Sequence, residues 1–163
     1  YELNKGWTVG KRLLQHERSM IGGIGGGQKT TSLEEYAHQY VGADESGKIS
    51  DASLRGKILR HRMNDRAFGL TTRRSVEESA TGNAPGATSS MFKYYGTEQN
   101  IGKYDLMLSI MGTQSVGWTG EGFHEEELDT TRAWLRSKAN SIEGGTSEVQ
   151  LNIIAKRVLG LPE

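Results

Sequence analysis

Glu17 stands directly before Arg18, close to Leu13, Leu14 and Met20. A carboxylate in that setting has two readings. Exposed and paired with the arginine, it does no more than solvate a helix. Shielded from water by the apolar chain of a substrate, its pKa rises until it serves as a base near neutral pH. A second carboxylate, Glu143, opens the run Glu143-Gly144-Gly145-Thr146-Ser147. Flexible backbone there precedes a helix start, where unpaired N–H groups receive anionic or polar ligand groups. A capped turn, with the hydroxyl of Thr146 or Ser147 bound to the helix, accounts for the same residues.

Other chemistry is less well supported. The glycines at 22, 23, 25, 26 and 27 follow no strand and precede no Gly-Lys-Ser/Thr element. They read as a helix break or close-packing site rather than a phosphate cradle. His16, His38, His61 and His124 have no compact ligand spacing, so no metal site is expected. With no cysteine in the chain, disulfides, thiolate metal sites and thiol nucleophiles are excluded.

Helices must position whatever site exists. Trp7, Val9, Leu13, Leu14 and Met20 suit a helix from Lys5 to Met20, and Leu33 to Tyr40 a second part after the glycines. Gly42 to Ser50 is a loop by composition. Ser50 or Asp51 caps the next helix, whose apolar line is Leu59, Met63, Ala67 and Leu70. Thr81-Gly-Asn-Ala-Pro-Gly86 ends it. Another helix runs from near Ala87 to Met111 on Ile101, Tyr104, Leu108 and Met111, with Met91, Tyr94 and Tyr95 upstream. After a glycine-punctuated connection around Trp118, a helix from near Phe123 carries Leu128, Trp134 and Leu135. Ser147 and Gln150 have capping-box spacing for a last short helix with Leu151, Ile154 and Val158, stopped by Gly160 and Pro162.

Alternating, strand-like stretches are nearly absent. The pattern predicts an all-α, four-helix-type bundle with a short additional C-terminal helix. The 163 residues suit a single helical domain. Twenty basic and 20 acidic side chains cancel, giving no global attraction to nucleic acid or anionic membrane. No apolar run approaches the roughly 20 residues that span a bilayer, and 1–10 lacks a signal-peptide core. A cytoplasmic setting is expected. The chain opens on Tyr1 rather than methionine, so a piece of a longer polypeptide is also expected.

The stretch Arg136-Ser-Lys-Ala-Asn-Ser-Ile-Glu-Gly-Gly-Thr-Ser-Glu-Val-Gln-Leu-Asn-Ile-Ile-Ala-Lys-Arg-Val-Leu-Gly-Leu-Pro162 closely resembles the end of acyl-CoA dehydrogenases. Gly6-Trp7 and Leu14-Gln-His-Glu-Arg18 resemble the first helix of that family's carboxy-terminal domain. Ser90-Met-Phe-Lys-Tyr-Tyr-Gly-Thr-Glu98 is similar to a helix start in the branch associated with bacterial fatty-acid or steroid side-chain degradation. The resemblance implies a three-domain parent subunit: a helical domain, a β-domain, then this domain. It implies FAD-dependent oxidation of an acyl-CoA to a trans-2-enoyl-CoA within lipid degradation. An electron-transfer flavoprotein or similar acceptor, and a homo- or hetero-oligomer, dimer or tetramer, are implied partners. The isolated piece is expected to be inactive.

One branch of the family places its base directly before the single glycine of a Glu-Gly-Thr turn. Aligned on Thr146, that place is taken here by Gly144, with Glu143 one residue early. The other branch uses a glutamate before an arginine on the first helix, which Glu17-Arg18 matches. The resemblance therefore implies Glu17 as the base, with Glu143 as the backup. It implies Gly112, Gln114, Gly117, Thr146 and Glu148 as cofactor contacts. A non-catalytic subunit supporting a catalytic partner is the alternative. Arg66-Ala-Phe-Gly69 echoes a family motif too superficially to carry its role.

Overall fold

Ser32 opens the first long-range packing element. Its hydroxyl accepts from the Glu35 amide at 3.2 Å, and the Glu35 carboxylate accepts from the Ser32 amide at 2.7 Å. This reciprocal cap satisfies two donors that a helix start leaves open. Helix α1 follows as Leu33–Tyr40. The computed structural model describes residues 3–10, 13, 31–81 and 89–162. His16, Glu17, Arg18 and the glycines between 22 and 27 lie outside the described residues, as does most of the turn expected at 81–86.

Asp51 starts helix α2, Ala52–Ala80, by accepting from the Leu54 amide at 3.0 Å. Helix α3 is Ser89–Met111, α4 is Glu125–Lys138 and α5 is Ser147–Ile153. Residues 6–10 are also helical. Between α1 and α2 the loop folds on Asp44, whose carboxylate accepts from the Ser46 and Lys48 amides. The isolated antiparallel bridge Ala43–Ile49 is there, and no strand forms among the described residues. The fold is all-helical, as the periodicity predicts.

The chain divides into two compact units, and α2 and α3 each contribute to both. One unit takes residues 31–67 and 98–140. Its core joins Leu33, Tyr36 and Ala37 of α1, Ile49, Leu54 and Ile58, and Met107, Ile110 and Met111 of α3. The apolar line predicted for α2 is not the buried one. Leu59 and Met63 are 60% and 64% exposed, and Leu70 is exposed too. Helical rotation of about 100° per residue puts Leu54 and Ile58 on one face and Leu59 and Met63 beside it. The partner decides which face is covered. The α3 line is partly as predicted: Met111 is buried and Tyr104 packs on the core, but Met107 and Ile110 replace Ile101 and Leu108 as its centre.

Helix α4 departs furthest from expectation. Its buried side chains are Glu127, Thr130, Thr131 and Ser137, whereas Leu135 is exposed. The tyrosines of α1 explain this. Tyr36 Oη lies 2.9 Å from Thr130 Oγ1, and Tyr40 donates to Glu127 at 2.8 Å. The polar face is buried because its members are hydrogen-bonded: Glu127 and Thr130 to α1, Thr131 to Ser115 O and Glu127 O, and Ser137 to Trp134 O of its own helix.

The other unit takes 3–10, 13, 68–81, 89–97 and 141–162 among the described residues. Phe68 of α2 packs against Phe92 and Tyr95 of α3, with ring centroids 6.1 and 5.4 Å apart. Gly96 allows that approach, since a Cβ there would lie 3.1 Å from the Phe68 ring. Phe68 belongs to this packing. Helix α5 passes into a π-helical turn, Ile154–Val158, and Gly160, at φ 63°, turns the chain away.

Candidate functional site

The turn before α5 needs backbone that glycine adopts most readily. Gly144 has φ 67° and Gly145 has φ 96°, both left-handed. Thr146 then turns extended and caps α5, its hydroxyl accepting from the Val149 amide at 3.3 Å. Of the two hydroxyls expected to cap this turn, Thr146 does so, and the capping box read on Ser147 and Gln150 does not form. The Glu148 carboxylate lies near its own backbone N–H and the Thr146 hydroxyl. Those groups, with the nearby positive charge of Lys93, hold its carboxyl below its usual pKa. Glu143 is half-buried at the head of the turn, and Glu148 is exposed.

Gln150 does not serve the expected capping box. It is fully buried and turns back, donating through Nε2 to Gly144 O at 3.0 Å and Gly145 O at 3.3 Å. A Gln at that spacing reads as a cap in sequence, because the two roles differ only in side-chain direction. Lys93, on the first turns of α3 in the same unit, is also fully buried. Sequence reasoning passed over it, since lysine is the last residue expected inside.

The Gly112–Gly117 element lies in the other unit. Gly112, at φ 58°, ends α3 and starts a 3-10 turn, Gly112–Val116, in which Ser115 donates to Gly112 O at 2.7 Å. Gly117 is buried under Phe123: a Cβ there would stand 2.5 Å from the ring. Its missing side chain is accounted for by that packing. Gln114 is half-buried, and its amide has no hydrogen-bond partner among the described residues.

The remaining titratable clusters look structural. Burial raises the phenol pKa of Tyr36 and Tyr40, and the carboxylates of Glu126 and Glu127 raise them further. Such phenols stay neutral and act as donors. Desolvation lowers the pKa of His61, with Asp65 opposing and Lys103 reinforcing the shift. Among the described residues no group of three or more His, Cys, Asp or Glu forms a metal-binding cluster. No helix of the described residues is long and apolar enough to cross a membrane. Glu17, the candidate base, lies outside the described residues.

The profile of the family described as "Acyl-CoA dehydrogenase, C-terminal domain" matches residues 4–159. The chain belongs to this family. Among curated relatives it is 29% identical to Acyl-CoA dehydrogenase IpdE1 of Mycobacterium tuberculosis, over 96% of this chain and 38% of that protein. It is 26% identical to Acyl-CoA dehydrogenase FadE34 of the same organism, over 98% of this chain and 20% of the relative. The chain thus spans under two fifths of the curated relatives it matches. Among solved structures, the Tcur3481-Tcur3483 steroid ACAD G363A variant aligns with TM-score 0.75 and 22% identity, over 99% of this chain and 42% of that one. The ChsE4-ChsE5 complex from Mycobacterium tuberculosis aligns with TM-score 0.67, also at 22% identity, with the same coverage. At that identity the likeness concerns the fold. In the acyl-CoA dehydrogenase C-terminal domain described here, the Glu-Gly-Gly-Thr turn and the Gly112–Gly117 element belong to different units.

Proposed function

We propose that this chain is the carboxy-terminal helical domain of an FAD-dependent acyl-CoA dehydrogenase. The parent subunit oxidises an acyl-CoA thioester to the trans-2-enoyl-CoA, in the cytoplasm, as a step of lipid degradation. The match to the family across residues 4–159 carries this reading. An amino-terminal helical domain and a middle β-domain complete the subunit. The alignment with two-component assemblies supports a homo- or hetero-oligomeric parent.

Glu17 is the base in this reading, from its place before Arg18. An acyl chain that shields a carboxylate from water raises its pKa, and the carboxylate then accepts the proton from the carbon beside the thioester carbonyl. That C–H electron pair becomes part of the new double bond as hydride leaves the neighbouring carbon. The substrate loses two electrons in all. Bound FAD supplies the acceptor for the hydride. An electron-transfer flavoprotein or similar acceptor is the redox partner.

The amide of half-buried Gln114, without a hydrogen-bond partner among the described residues, offers donors and an acceptor suited to a dinucleotide's polar groups. Gly112, Gly117, Thr146 and Glu148 are the further cofactor contacts in this reading. In the full-length parent, Glu17→Gln should slow anaerobic flavin bleaching by acyl-CoA by at least about 100-fold. Unchanged bleaching would sink the assignment.

A second reading rests on one observation. The Thr146 hydroxyl is already spent on the Val149 amide at the start of α5. In that reading the subunit is non-catalytic and supports a catalytic partner. It predicts no FAD in the purified parent subunit alone and recovery with the partner present. Stoichiometric flavin with turnover in the single subunit would reject it.

A further inference from the structure

Gln150 and Lys93, both polar, are buried completely in the unit that contains the start of α5. Gln150 has no exposed surface, and only one end of its amide is used. Nε2 reaches two successive carbonyls, at 3.0 and 3.3 Å, while Oε1 has no hydrogen-bond partner among the described residues. The orientation is fixed by chemistry. Flipping the amide would press Oε1 against two carbonyl oxygens. Burying an unpaired amide oxygen costs free energy that a leucine of similar size would not incur. Lys93, likewise without exposed surface, places a cation in the same unit, close enough to act on Glu148. The buried, unpaired oxygen of Gln150 opposes stability, and local rules are commonly broken where function requires it.

The carbonyls that Gln150 holds belong to Gly144 and Gly145, both at positive φ. Glycine pairs have the widest choice of backbone conformations, so this is the place in the turn that most needs an external restraint. We propose that Gln150 is the positioning residue of the Glu143–Thr146 turn, its amide fixing how Thr146 and Glu148 meet the flavin nucleotide. The flavin half of this statement rests on the function proposed above; the brace itself rests on the contacts.

The full-length subunit, in the oligomer in which it is isolated, is the material for the test. Gln150→Leu removes the donor and relieves the unpaired oxygen, so the fold is retained. Amide hydrogen exchange at 144–147 should accelerate about tenfold, the loss expected for hydrogen bonds of ordinary net strength, with exchange in α3 unchanged. The dissociation constant for FAD, titrated into the apoprotein, should rise by a similar factor. Gln150→Glu separates donor from bulk. Its ionised carboxylate repels the carbonyls, so FAD binding should weaken about tenfold at alkaline pH. Burial raises the carboxyl pKa, and the protonated form donates again, so binding should recover on acidification. A loss that is independent of pH, or wild-type exchange in Gln150→Leu, would overturn the brace. A wild-type subunit that takes up no FAD, yet shows accelerated exchange in Gln150→Leu, would overturn the flavin reading and uphold the brace.

Discussion

Asp105 illustrates how single residues in this chain are set by contacts across helices. From α4, Trp134 Nε1 and Lys138 Nζ each donate to its carboxylate at 2.6 Å, and the lysine also lies 4.9 Å from the Trp134 ring centroid. Desolvation alone would raise the Asp105 pKa, but the bonds from Lys138 and Trp134 outweigh it and the net shift is downward. A depressed folded pKa means the contribution is complete above the unfolded value of about 3.9 and is lost as pH falls through the folded value. The Trp134 indole N–H resonance should therefore titrate with a midpoint below the ordinary aspartate value, and Asp105→Asn should abolish that step. As an exposed pair its effect on stability is small, about 1 kcal/mol or less. None of this was visible in sequence, where Trp134 read as an apolar anchor of α4. The indole is amphipathic, and only the neighbouring helix determines which end is used.

The helices themselves were largely legible, but their buried faces were less so. Leu33–Tyr40, the start of α2 at Asp51 and the end of α3 at Met111 follow from caps, periodicity and glycine placement. The contact of α1 with α4 does not, because it is built from Tyr36, Tyr40, Glu127 and Thr130. Hydrophobic periodicity cannot report a polar face whose members satisfy one another. Tyr40→Phe should remove the 2.8 Å bond to Glu127, which is buried. Its cost, read by denaturant unfolding, should be about 2 kcal/mol, the range for a hydrogen bond to a charged group. Burial and Glu127 raise the Tyr40 pKa, so this contribution should persist to beyond pH 10 and fade as pH climbs further. A loss below that range, or a neutral Tyr40→Phe, would contradict the contact.

For the molecule as a whole, the family match and the length of its relatives set the terms. The chain spans 38% of IpdE1 and 20% of FadE34. The 163-residue chain by itself should bind no FAD and turn over no acyl-CoA, because the proposed flavin pocket takes one wall from a β-domain and no strand forms among the described residues. Equilibrium dialysis with FAD and anaerobic mixing with acyl-CoA would check both, and a yellow, active 163-residue chain would disprove the three-domain reading.

By itself the sequence determined the helical class, most element boundaries, and the family, the last through the ordered residues of Arg136–Pro162 and their upstream companions. These are local properties: caps, turns and periodicity act within a few residues of themselves. Tertiary structure decided that Leu59 and Met63 face water, that α4 buries threonines, and that Gln150 grips the turn instead of capping its helix. Each of those depends on what another segment brings alongside. A side chain's direction is chosen by its partner, and partners distant in sequence leave no periodic trace.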